Sequence, residues 1–141
     1  MFTTSITLDA IHSLSKNTIS QHLGIEFTEV GDDYLVARMP VDQRTHQPFG
    51  ILHGGASVVL AETLGSIASY LCLKDPEKQH AVGLEINANH IRSVKTGYVY
   101  GRVTPIHIGR STQIWDIKIT NEENKLVCIS RLTVAIIDAK G

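Results

Sequence analysis

The sequence predicts an α+β fold in which one long helix is wrapped by a curved antiparallel sheet. Two patterns carry that expectation. Residues 56–73 form the one long helical stretch, rich in Ala, Gly, Ser and Leu. Beyond it the apolar period changes to two, and long strand-like segments follow one another to the C-terminus. At 141 residues the chain suits a single domain over residues 1–141, large enough to bury a sizeable core.

In order along the chain, residues 8–22 read as a short amphipathic helix with Leu8, Ile11, Leu14 and Ile19 on one side, ended by Gly24. "IEFTEVGDDYLVARMPV" reads as two strands joined at Gly31-Asp32-Asp33, a hairpin signal. Residues 41–52 form a loop punctuated by Pro48 and Gly50. The long helix would run about 27 Å, and its Ala61, Gly65 and Ala68 let another element approach closely. In "AVGLEINANHI", Val82, Leu84, Ile86 and Ala88 alternate with Gly83, Glu85, Asn87 and Asn89, the period of a two-faced strand. Residues 98–106, 113–120 and 125–137 are further strands, the last two joined by the polar turn "NEEN". Strands this long, with a single covering helix, leave a sheet face short of cover. A second subunit is expected there.

Composition narrows the function. Hydrophobic residues make up 43% and charged residues 19%, which is globular. The net charge is −1 without a basic block, so a nucleic-acid partner is disfavoured. Cys72 and Cys128 are the only cysteines, too few to staple a secreted domain, and a reducing cytoplasm is expected. The N-terminus lacks the charged and apolar regions of a signal peptide. The longest nearly apolar stretch is interrupted by Glu62 and Thr63, a poor membrane span, so a soluble protein is expected.

Glu62 stands alone. No Lys or Arg lies between Arg44 and Lys74, and the helical period puts Val58, Ser66 and Ser69 on its face. An acid on a solvated helix face is the ordinary case. Such an acid, however, commonly has cationic neighbours three or four residues away. A carboxylate among small hydroxyls suits instead the wall of a narrow polar cleft, where it could act as base or nucleophile. His53-Gly54-Gly55 precedes the helix. It is either a plain glycine-rich helix start or a place where backbone N–H groups reach a substrate oxygen. From Gly54 to Glu62 is about 12 Å by helical rise. That is too far for both to meet one small carbonyl within a chain unless the Glu62 side chain spans part of the gap. A site shared between two subunits removes the difficulty.

Other chemistries lack their motifs. The seven histidines include no H-x-x-x-H or H-E-x-x-H pair and no Cys/His cluster, so no metal is expected. Ser57, Ser66 and Ser69 lie in no G-x-S-x-G elbow, and no glycine-rich phosphate loop is present. "NHIRS" and "HIGRST" each gather His, Arg and Ser at a strand end, where they could donate to an anion. Arg92 and Arg110 could equally be ordinary strand-end charges.

"QPFGILHGGASVVLAETLGSIAS", "GLEINANHIRS" and "HIGRSTQIWDIKI" together resemble the hotdog-fold acyl-CoA thioesterases, in the branch whose catalytic acid is a glutamate on the central helix. The likeness covers nearly the whole chain and is strongest to bacterial enzymes acting on aromatic acyl thioesters. It implies hydrolysis of an aromatic or medium acyl thioester to free acid and CoA, without a cofactor. It implies Glu62 as base or nucleophile and the Gly54 amide as oxyanion donor, with Gln47 and His53 near the thioester carbonyl. Ser66 would position water or substrate. Gly83, His90, Ile91, Arg92 and Ser93, and His107, Ile108, Gly109, Arg110, Ser111 and Thr112, would hold the CoA arm. The resemblance also implies a homodimer whose sites take Glu62 and Gly54 from different subunits, with a homotetramer favoured. An aryl or acyl carrier protein is the alternative bearer of the thioester. A non-catalytic acyl-CoA binder and a dehydratase are rivals of other classes; neither uses the acid and the glycine donor to release a thiol.

Overall fold

The computed structural model describes residues 2–139. The chain runs α1 (Leu8–Ser15), α2 (Ile19–His22), β1 (Glu26–Val30), β2 (Leu35–Pro40), α3 (Gly54–Leu71), β3 (Gln79–His90), β4 (Tyr98–Ile108), β5 (Thr112–Thr120) and β6 (Leu126–Asp138). Six strands make one sheet in the order β1-β2-β4-β5-β6-β3, with every neighbouring pair antiparallel. The long helix α3 packs across that sheet, touching β2 through β6, which is the α+β arrangement the sequence predicts.

Small residues let α3 sink into the sheet. Ala61 and Ala68 are fully buried, as are Leu60, Leu64 and Leu71 beside them. Gly65 abuts the Leu132 side chain of β6, and a Cβ on Gly101 of β4 would lie 2.5 Å from Leu64 Cδ1. Close packing of this kind has no room for one more carbon. The helix begins and ends two residues earlier than its apolar pattern suggests. His53 is the reason at the start: its backbone is extended, and its Nδ1 accepts the Gly55 N–H at 2.7 Å, a side-chain cap.

Two expectations need correction. Residues 8–22 are not one helix. Lys16 is extended and Asn17 takes φ 61°, a left-handed conformation Asn tolerates, so the chain bends between α1 and α2. The expected stripe divides with it: Ile11 is fully buried, whereas Leu14 is 51% and Ile19 58% exposed. In β3, Gly83 pairs with Val134 and Glu85 with Thr133, leaving Leu84 as an extra residue in a bulge. One extra residue exchanges the two faces of a strand. Ala81, Ile86 and Ala88 therefore pack toward the core, while Val82 and Leu84 are exposed. The β1–β2 hairpin and the polar β5–β6 turn form where expected, the latter with Asn124 at φ 63°.

Cys72 and Cys128 are buried free thiols, and burial raises both of their pKa values. At neutral pH neither is expected to react with an aromatic disulfide reagent in the folded protein, and both should react in denaturant. Rapid titration of either thiol without denaturant would contradict this burial. Among the described residues no helix is long and apolar enough to cross a membrane.

Candidate active site

Glu62 sits in the third turn of α3, half-buried, where the backbone of β3 passes close by. A Cβ on Gly83 would come within 2.7 Å of Glu62 Oε2, so the glycine is what lets strand and carboxylate share this space. None of the ion pairs among the described residues involves Glu62. Ser66, one turn on, lines the same depression of about 390 Å3, together with Leu14, Ile19, Thr63 and Ile67. Ser69 does not belong to that face. It is fully buried and accepts the Trp115 indole N–H at 2.8 Å, a donor that Gln113 Oε1 also accepts at 3.2 Å. Around the helix Ser66 falls about 40° to one side of Glu62 and Ser69 about 20° to the other. The edge of the sheet's cover runs between them.

A second group surrounds the start of α3. Gln47, Gly54, His90, Ile91, Arg92 and Ser93 line one cleft of about 290 Å3. His90 lies directly over Gly54, where a Cβ would stand 2.7 Å from its Nε2. The helix-start donors can be accounted for one by one. Gly55 donates to His53 Nδ1, and Ala56 and Ser57 donate to the His53 carbonyl at 3.0 and 3.3 Å. The Gly54 N–H has no such acceptor among the described residues. It is left as a free donor at the positive end of an 18-residue helix. In Gln47 the side-chain oxygen accepts the Phe49 N–H, so its NH2 is the end free for another partner. His53 itself is exposed, with its ring turned back onto the helix as a cap.

The third group lies at the β4–β5 turn. Gly109 N–H donates to the Thr112 carbonyl at 2.8 Å, which closes the turn and puts the exposed Arg110 and Ser111 at its tip. His107 packs against Gly109. Ile108, Gly109 and Arg110 border a cavity of about 200 Å3 with Lys74 and the buried Gln113, two residues the sequence did not single out. Leu14 and Ile19 beside Glu62 were likewise read only as a helix stripe. In each case the signal is a contact between segments far apart in the chain. Among the described residues no three His, Cys, Asp or Glu side chains gather as metal ligands.

One chain thus holds an unpaired carboxylate and a free helix-start donor in different depressions, a pairing suited to an acyl carbonyl if a second chain brings them together. Residues 49–128 match the model of the thioesterase superfamily. The chain belongs to that superfamily, has its hotdog fold and is a thioester hydrolase. It is 53% identical over 132 residues to the 1,4-dihydroxy-2-naphthoyl-CoA hydrolase of Escherichia coli, covering 94% of this chain and 96% of that one. It is 53% identical to the proofreading thioesterase EntH of Cronobacter turicensis, covering 93% of this chain and 94% of the relative. A crystal structure of a Haemophilus influenzae thioesterase superposes with a TM-score of 0.93 at 52% identity, over 97% of this chain and 94% of that one.

Proposed function

We propose that this protein hydrolyses an aromatic acyl-CoA, with 1,4-dihydroxy-2-naphthoyl-CoA the first candidate, to the free acid and CoA. The carrying observation is that Gly54, whose N–H has no acceptor among the described residues, lines a cleft that Glu62 of the same chain does not line. Each site then takes Gly54 from one subunit and Glu62 from its partner. The edge strand β3, 12 residues long with one side unpaired, supports pairing with a second copy. Two such dimers would make a tetramer. The free, buried thiols support a reducing cytoplasm.

In this reading the Gly54 N–H, with the Gln47 NH2, stabilises the negative charge that develops on the thioester oxygen. Glu62 either takes a proton from the attacking water or attacks the carbonyl carbon itself, forming an acyl anhydride that a water molecule then hydrolyses. On both routes the C–S bond breaks, the acid is released, and the CoA thiolate takes up a proton derived from the water. Ser66 places water or substrate beside Glu62, and His53 holds the helix start in shape. His90, Ile91, Arg92, Ser93 and Gly83 line the path of the pantetheine, and residues 107–112 offer Arg110, Ser111 and His107 to the phosphates.

The test is thiol release from dihydroxynaphthoyl-CoA, benzoyl-CoA, straight-chain acyl-CoAs and an aryl carrier-protein thioester, with wild type and Glu62→Ala side by side. The aromatic CoA thioesters should be cleaved fastest, and the variant should be close to inactive. No release from any substrate, or full activity in Glu62→Ala, would sink the proposal. Preference for the carrier-bound thioester would favour the proofreading role named for the EntH relative.

Gly83→Ala probes the same carboxylate from the strand side. Its added carbon falls 2.7 Å from Glu62 Oε2, so the side chain must swing away. The expected result is a loss of about tenfold or more in kcat, since misplacing a reacting group by about 1 Å is costly. The urea midpoint should barely move, because the displaced group is the end of a flexible side chain. Unchanged kcat would mean the carboxylate does not act from this position.

A further inference from the structure

We infer that the bend between α1 and α2 forms the acyl-selecting wall of the site, with Leu14 and Ile19 as the side chains that touch the acyl group. The inference rests on the reading of Glu62 as the group acting at the thioester carbonyl. The acyl group is bonded directly to the carbon under attack, and an attacking atom sits about 3–3.5 Å from that carbon. The first atoms of the acyl group therefore lie in the depression that Glu62 lines. Leu14, Ile19 and Ile67 are its aliphatic wall, and two of these are among the more exposed large hydrophobic side chains of the protein. Exposed aliphatic carbon beside a reacting carboxylate matches an apolar substrate group and is poorly explained by packing within the chain, which leaves both side chains half uncovered.

The bend is built to stay where it is. The Asn17 N–H donates to Gln21 Oε1 at 2.8 Å across the left-handed turn. Buried Ser20 donates to Thr63 Oγ1 at 3.4 Å and so ties α2 to the residue next to Glu62. Thr18 donates its hydroxyl to the Ser15 carbonyl, and Ser15 donates to the Ile11 carbonyl at 3.4 Å. With these protons committed, the hydroxyl oxygens of Ser15 and Thr18, both residues lining the depression, keep lone pairs free as acceptors. Lone pairs receive hydroxyl donors and disfavour anionic oxygen. The wall thus fits a flat apolar acyl group bearing hydroxyl substituents, a hydroxylated aromatic ring, better than a plain alkyl chain or a second carboxylate.

Four proteins test this: wild type, Leu14→Ala, Ile19→Ala and Thr18→Val. Each is assayed for kcat/KM on butyryl-CoA, benzoyl-CoA and 2,4-dihydroxybenzoyl-CoA, with size-exclusion chromatography and a urea midpoint as controls. Leu14→Ala and Ile19→Ala should lower kcat/KM for both aromatic substrates by about tenfold or more and for butyryl-CoA by much less, because each removes carbons that only a larger acyl group covers. Thr18→Val should lower the dihydroxybenzoyl-to-benzoyl ratio. Equal losses on all three substrates would overturn the inference, as would a changed oligomeric state with unchanged substrate ratios, which would mark the bend as a contact between copies of this chain. If wild type released no thiol from any substrate, the Glu62 reading itself would fall and this inference with it; release with unaltered ratios removes the inference alone.

Discussion

Glu62→Ala is expected to lower kcat for thioester hydrolysis by about a thousandfold or more, with KM changed far less. The size follows from the role. A positioned base contributes about 10²–10⁴-fold, and loss of a nucleophile removes the covalent route altogether. KM is spared because the side chains proposed to hold CoA lie in the Gly54–His90 cleft and at the β4–β5 turn, and Gly83, the one proposed contact beside Glu62, offers only backbone. A loss confined to kcat is the signature of an interaction made in the transition state. Glu62→Gln keeps the shape and removes the charge, so it should lose nearly as much. Neither variant should lower the urea midpoint, since none of the ion pairs among the described residues involves Glu62. Glu62→Gln with wild-type kcat would show that the carboxylate charge takes no part. An unfolded Glu62→Ala would instead move the residue into the structural account.

What could be read from the chain before folding was local. The small residues of α3, the Gly31-Asp32-Asp33 hairpin and the long C-terminal strands each carry their signal within a few consecutive positions, and they appear where the pattern puts them. The bulge at Leu84 could not be seen that way. A bulge adds one residue without altering composition, and the alternation of Val82, Leu84, Ile86 and Ala88 reads as an unbroken strand. The bend at Asn17 did leave a local trace, since Asn favours turns and tolerates the left-handed region better than most residues, but the apolar stripe running through it outweighed that trace. At the site, residue type and helical rise were enough to single out Glu62 and Gly54 as the proposed acid and donor, about 12 Å apart by helical rise, and the structure puts them in different depressions. The partners of each were not legible. Ser69 turns inward because Trp115 waits beneath it, and Leu14, Ile19, Lys74 and Gln113 reach their depressions through contacts between distant segments.

Gly54→Pro is expected to lower kcat by about 10²–10³-fold, the usual loss when one oxyanion donor is removed. Proline deletes the N–H without asking the backbone to change here. Gly54 is the first residue of α3, a position where proline is well tolerated. His53 before it, at φ −69° and ψ 131°, already has the extended backbone that a following proline requires. The steric cost is the contact with His90, since any Cβ at this position lies 2.7 Å from His90 Nε2. Gly54→Ala carries the same Cβ and keeps the donor, so the drop from Ala to Pro isolates the N–H. Equal activity in the two variants would remove Gly54 from the mechanism. Mixing the lesions then tests the shared site. Chains carrying Glu62→Ala and Gly54→Pro, refolded together in equal amounts, form dimers of which half are mixed. If each site draws Glu62 and Gly54 from different subunits, a mixed dimer has one site with both lesions and one with neither, and the mixture regains about a quarter of wild-type activity. If both groups came from one chain, every site in every dimer would carry a lesion and nothing would be regained. Recovery on mixing two nearly dead variants has no explanation in a site confined to one chain.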